Sequence, residues 1–188
     1  AAPGFFIKRD SSDFGGKIEY RGMIEWVDPM PYQLAEIGGF ELMDVCKGHG
    51  ATNQAQTLVR LIRERRGSRG LIYINQHKIR EWVLPFLQKA GIRYACINGK
   101  TKPAERAQIM KRFNEVHDID VVITSVTTAV DLDCDFVIFY EFTLEVKQMI
   151  GRAHRGLGDK MLEVIFVITD DTREVDYFLN NILKRSLM

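Results

Sequence analysis

Cysteine is scarce: Cys46, Cys96 and Cys134 are the three in 188 residues, and no two stand as a C-x-x-C pair. That spacing excludes a disulfide framework and a thiolate zinc site and points to a reducing compartment, with the three thiols read as small buried hydrophobes. No two of His49, His77, His117 and His154 stand four residues apart, so no metal site is expected. No apolar run approaches the length of a membrane span, and the opening Ala-Ala-Pro-Gly lacks the charged and apolar regions of a secretory leader. The expectation is a soluble intracellular protein, a fragment or processed product because it opens without Met. An excess of one charge is missing as well, since 26 Lys and Arg face 25 Asp and Glu. Global charge therefore announces no nucleic-acid partner, and local clusters must carry that argument. Three catalytic signatures are also absent. No Ser sits in a G-x-S-x-G elbow. Gly99-Lys100-Thr101 imitates the end of a P-loop, but Tyr94 stands five residues before Gly99, where that cradle needs glycine. No strand ends in the Asp-Glu pair that holds magnesium, so the chain alone lacks the parts of a complete ATPase.

What is present is an alternation. Residues 1–50 read as an irregular lead-in or edge segment, punctuated by Gly15-Gly16, Pro29, Pro31 and Gly38-Gly39, with room for a hairpin and with Trp26 and Phe40 covering a core edge. Residues 51–188 read as one domain. Ala55, Leu58, Val59 and Ile62 recur at helical spacing and Gly67 closes that helix. Its outer face carries Arg60, Arg63, Arg65 and Arg66, with Arg69 beyond. A solvated charged face is the simpler account of these arginines and a phosphate-facing stripe the sharper one. Apolar runs at Leu71–Ile74, Ile92–Ile97, Ile119–Thr124, Phe136–Tyr140 and Leu162–Ile168 have the composition of buried parallel strands. Between them lie helical stripes: Ile79, Trp82, Val83, Phe86, Leu87 and Ala90, with Pro85 expected to kink them; then Ala107, Ile109, Met110 and Phe113, opened by Pro103; then 145–153. A last stripe of Val175, Phe178, Leu179, Ile182 and Leu183 follows a cap at 169–172. Strands alternating with helices imply an α/β fold, a parallel sheet with helices on both faces, whose ligands gather at the carboxyl ends of the strands.

Those ends carry Asn75-Gln76-His77, then Asn98-Gly99-Lys100-Thr101, then Thr124-Ser125 with Thr127-Thr128 and Asp131. Turn formation explains any one cluster; three on one rim suit a phosphate chain held without reading sequence. Near the end of the pattern, Gln148-Met149-Ile150-Gly151-Arg152-Ala153-His154-Arg155 places two arginines three apart on one helix face, after a glycine that admits close approach. They are either solvated charges or a rigid pair of forks for a transferring phosphoryl group.

Taken together, Gly70 to Gln76, Gly91 to Gly99 with Glu105-Arg106 and Arg112-Phe113-Asn114, Val121 to Leu132, and Gln148-x-x-Gly151-Arg152-x-x-Arg155 resemble the fourth to sixth motifs of one family. It is the C-terminal RecA-like lobe of superfamily 2 helicases and translocases, most similar to the Swi/Snf-type, annealing-helicase-like branch. The 127–132 segment lacks the glycines usual in that branch. The resemblance implies Arg152 and Arg155 as arginine fingers with Gln148 organising their face, Gly151 and Asp131 beside the nucleotide, and Asn75, Gln76, Gly99, Lys100, Thr124 and Thr127 along the nucleic-acid backbone. It implies ATP and Mg2+ held mainly by an N-terminal lobe that this chain does not carry. The partners it implies are that lobe and DNA, duplex DNA foremost, with RNA left open. The alternative is a non-catalytic nucleic-acid- or protein-binding module of the same fold.

Overall fold

Strict alternation of apolar side chains decides the sheet. In the computed structural model, which describes residues 7–11, 18–29, 52–125, 130–141, 143, 145–153, 161–170 and 173–183, Leu71, Tyr73, Val122, Val137, Phe139, Val164 and Phe166 face one core. Ile72, Ile74, Val121, Ile123, Phe136, Ile138, Ile165 and Val167 face the other. Such strands, apolar on both sides, need cover above and below.

The strands are β1 (Ile7–Ser11), β2 (Ile18–Val27), β3 (Gly70–Tyr73), β4 (Tyr94–Ile97), β5 (Val121–Thr124), β6 (Phe136–Phe139) and β7 (Leu162–Thr169). Their order in space is β1-β2-β7-β6-β3-β5-β4. Six run parallel, and β1 closes the edge antiparallel to β2, Arg9 opposite Tyr20. The hairpin anticipated near the start is this β1–β2 pair. Residues 18–27 do more than lead in, however. The strand pairs along eight residues with β7, from Tyr20–Leu162 to Val27–Thr169. The polar residues interspersed at Glu19, Arg21 and Glu25 hide that role from an apolar-run reading.

Helices α1 (Thr52–Glu64) and α2 (His77–Lys89) cover one face. Helices α3 (Pro103–Lys111), α4 (Val146–Arg152) and α5 (Arg173–Tyr177) lie on the other, α3 and α5 each running on into a π turn, Arg112–Val116 and Phe178–Leu183. Each fully buried Leu, Ile or Phe contributes roughly 1.5–3 kcal/mol. The stripes hold with local exceptions. Leu61 joins Leu58 and Ile62 in the core while Val59 packs at its margin. Ala107 and Leu179 are exposed, because α3 buries only Ile109 and the π turns change the winding that a 3.6-residue period assumes. Helix α2 runs unbroken through Pro85, which stands exposed on its outer side. Gly67 (φ 87°) and Gly91 (φ 70°) end α1 and α2 in the left-handed region, where a side chain is strained. Gly70 is needed for space: a Cβ there would lie 2.0 Å from Phe136 Cε2. At the margin, Cys134 is buried and Cys96 half-buried, its thiol pushed up by burial. Trp26 packs against the core edge; Phe40 and Cys46 lie outside the described residues. Among the described residues no helix is long and apolar enough to cross a membrane.

Candidate functional site

Parallel strands send all their carboxyl ends to one rim. There the β4 turn is tied by its own side chains: Lys100 N–H donates to Asn98 Oδ1 at 2.8 Å and Asn98 N–H to Thr101 Oγ1 at 2.9 Å. Beside it, the Gln76 N–H at the start of α2 donates to Glu141 Oε2 at 2.8 Å. Asn75, Gly99 and Lys100 come together, with His77, Arg80, Asn98 and Ser125, around a cavity of about 590 Å³. Gln76 meets this rim through its backbone bond. Thr124 does not reach it: its side chain is 0% exposed and its hydroxyl donates to the Ser125 carbonyl. Alternation along β5 turns Thr124 to the Val122 side, and Ser125 lines the cavity instead. Thr127 lies outside the described residues. Behind the rim, burial, and less strongly the Glu141 and Glu145 charges, push Tyr73 up to about 12, against the opposing effect of a hydrogen bond with Thr143.

The sequence pattern placed Asp131 on this rim as well, and here the structure differs. Because β5 and β6 are parallel, the chain after Thr124 must return the length of the sheet, and the described residues of that return, 125 and 130–135, belong to no helix. Val130, Leu132 and Cys134 plug into the core on the way. By residues 132–134 it is bound to the end of α4: Leu132 N–H donates to the Arg152 carbonyl and Cys134 N–H to the Ala153 carbonyl, both at 3.0 Å. Asn114, in the π turn after α3, grips the same stretch with both ends of its amide. Its Nδ2 donates to the Asp131 carbonyl at 3.1 Å, and its Oδ1 accepts from the Asp133 N–H at 2.8 Å. Asp131, exposed, and Arg152, half-buried, are thereby fixed to one another through their backbones. Burial draws the Arg152 guanidinium below its ordinary value. Gln148 is exposed on α4 and Gly151 half-buried in its last turn, above buried Met149, Ile150 and Ala153. Arg155 lies outside the described residues.

The conserved C-terminal domain of helicases matches residues 53–156, more than half of the chain. The chain belongs to that family. This helicase domain is 26% identical over 163 residues to mouse DNA excision repair protein ERCC-6-like 2, spanning 82% of the chain and 10% of that protein. It is 27% identical over 140 residues to the UvrABC system protein B of Chlorobaculum tepidum (68% and 20%) and 30% identical over 127 residues to Helicase SWR1 of Yarrowia lipolytica (64% and 7%). It thus spans a fifth or less of the length of these relatives. In structure it superposes on the C-terminal part of the Fun30 ATPase domain with a TM-score of 0.63 at 18% identity, covering 80% of this chain and 56% of that one. The Hef helicase domain of Pyrococcus furiosus gives 0.54 at 23%, covering 68% and 27%. The RecA-like fold and the placement in superfamily 2, on its Swi/Snf-type side, follow.

Sequence reasoning missed two residues of the helicase domain that the structure brings forward. Arg80 is 8% exposed, lines the rim cavity, and has no carboxylate within ion-pair distance among the described residues. It sits one place along from the apolar Ile79 on α2, and only its spacing of four after Gln76 hinted that it could return to the rim. Asn114 was read as part of a motif, without its bridging role; nothing local in the sequence marks a residue 17 positions from its partner.

Proposed function

We propose that the chain is the second motor lobe of an ATP-dependent translocase acting on nucleic acid, most readily duplex DNA. In this reading Arg152, with Arg155, reaches toward the phosphates of ATP and Mg2+ held by an N-terminal lobe, Gln148 orders that face, and Gly151 and Asp131 lie next to the nucleotide. The observation that carries the reading is the clamp of 131–134 onto Arg152–Ala153, because it makes Asp131 and Arg152 move as one body when the two lobes close. A half-buried guanidinium has lost part of its water, so an incoming phosphoryl oxygen displaces less solvent on reaching it. The carboxyl rim takes the nucleic-acid backbone through Asn75, the Gln76 turn, Gly99, Lys100 and Ser125, with Arg80 beneath as a cation whose counter-charge a phosphate supplies. Thr127 completes that loop by its place in the motif. Such contacts are independent of sequence and weaken with salt. Closure on ATP and release after hydrolysis would then move the lobes along a strand.

The test is DNA-stimulated ATP hydrolysis by the longer natural protein, with and without Arg152→Ala, beside the isolated 188 residues. Hydrolysis that collapses while DNA binding persists supports the reading; turnover by the isolated chain would overturn it. If the Arg152 variant leaves hydrolysis unchanged, the non-catalytic module is the better account.

A further inference from the structure

The opposite end of the sheet carries a second cavity, of about 760 Å³, built by the three turns that lead into β3, β4 and β5. Arg63, Arg65, Arg66, Arg69 and Arg93 line it, with His117, and Asp120 is the only carboxylate among the lining residues. The arginines divide into two kinds. Three are committed to partners: Arg65 pairs with Glu163, Arg69 donates to the Phe113 carbonyl and lies over that ring, and Arg93, itself exposed, grips Asp120 through its backbone N–H at 2.9 Å and its guanidinium at 2.5 Å. These bonds fix the walls. Arg63 and Arg66 are exposed. Arg63 makes one long bond, 3.4 Å, to the Ala90 carbonyl, and among the described residues Arg66 has no ion-pair partner. Arg60, farther back on α1, is by contrast satisfied by Glu25 and Glu64. The arginine run of α1 is thus a solvated, paired face at one end and the lip of a basic cavity at the other.

We propose that this cavity is a second binding site for nucleic-acid backbone, at the end of the sheet opposite the carboxyl rim and lined by none of the residues 131–134 or 152–153. Its volume falls within the range of ligand pockets and exceeds what a single anion fills. All five of its cations are arginines, whose planar forks match phosphate oxygens. Ile62, Ala90 and Ile92 are its apolar lining and no aromatic is present, which disfavours an acidic peptide, since protein partners anchor on aromatic and large apolar side chains. The choice of nucleic acid among phosphate carriers rests on the function proposed above. A backbone held at both ends of the sheet would keep one stretch of a long substrate attached while the rim releases and re-grips.

The experiment is an amide NMR titration of the chain with a hexathymidylate strand, with hexaglutamate as a control of like charge. The expected result is displaced amides at 65–69, 90–93 and 117–120 in addition to those of the rim at 75–76, 98–101 and 125. Arg63→Glu with Arg66→Glu, both on exposed side chains, abolishes the first set and leaves the second. It weakens this site at least about tenfold and lowers its salt slope by about 1.4, two phosphates at roughly 0.7 each. Silence of the turns while the rim responds overturns the proposal, and so does hexaglutamate moving them as strongly as the strand. A silent rim with responsive turns would instead remove the rim from the proposed function and leave this site standing.

Discussion

Two ways of crossing back between parallel strands occur side by side in this domain. Between β3 and β4 the chain returns as α2, which bonds its own backbone and asks of its neighbours only apolar contact from Ile79, Val83 and Leu87. Between β5 and β6 the described part of the return, residues 130–135, belongs to no helix or strand, and its N–H and C=O groups must find partners elsewhere. It finds them on Asn114, Arg152 and Ala153. A helical crossing is therefore self-contained, and a non-helical stretch is coupled to whatever satisfies it. The proposed nucleotide-facing residues sit on the coupled one, which is what a lobe that transmits closure requires.

The largest expected break in this contrast is Arg152→Ala in the longer natural protein. ATP turnover falls on the order of 10³-fold while thermal unfolding shifts little, because the backbone carbonyl that holds Leu132 remains. Leu87→Ala on the helical crossing does the reverse. It costs about 3 kcal/mol in denaturant unfolding and leaves hydrogen exchange at 132–134 at its native level relative to global stability. Asn114→Ala falls between the two, losing about 2 kcal/mol for two hydrogen bonds and accelerating exchange at Asp133 beyond that global loss. If exchange there is unaffected, the non-helical stretch is not held as described. Gly91→Ala, at a left-handed turn, costs about 1 kcal/mol and leaves both ATP turnover and relative exchange at 132–134 unchanged. A pH series tests the rim side. Tyr73 ionises near pH 12 when folded and near 10 when unfolded, so between those values the native state holds a proton that the unfolded chain has released. Stability accordingly falls as pH rises from 10 to 12, and Tyr73→Phe flattens that fall without altering stability's slope at neutral pH.

Much of this was legible because it is local. The helix stops at Gly67 and Gly91, the opening of α3 at Pro103 and the five apolar strands each depend on a few adjacent residues, and the structure places them within one to three positions of the pattern. The β2 strand was not legible, since its partner β7 lies more than a hundred residues away and Glu19, Arg21 and Glu25 interrupt its apolar residues. Nor were the π turns that continue α3 and α5, the second of which leaves Leu179 exposed. Of the Thr124-Ser125 pair that the pattern places at the rim, the pleat buries Thr124 and leaves Ser125 lining the cavity.

Period and composition alone determined an α/β chain with phosphate-suited turns and a lone pair of arginines, because periodicity is a property of neighbouring residues and survives without knowledge of distant ones. Only the tertiary structure decided that Asp131 leaves the rim to join Arg152, that Arg80 is sealed beneath it, and that the arginines of α1 divide between ion pairs and an open cavity. Each of those depends on a backbone or charged group meeting a partner far along the chain, and unsatisfied polar groups are settled by where the fold brings their partners, not by the residues beside them.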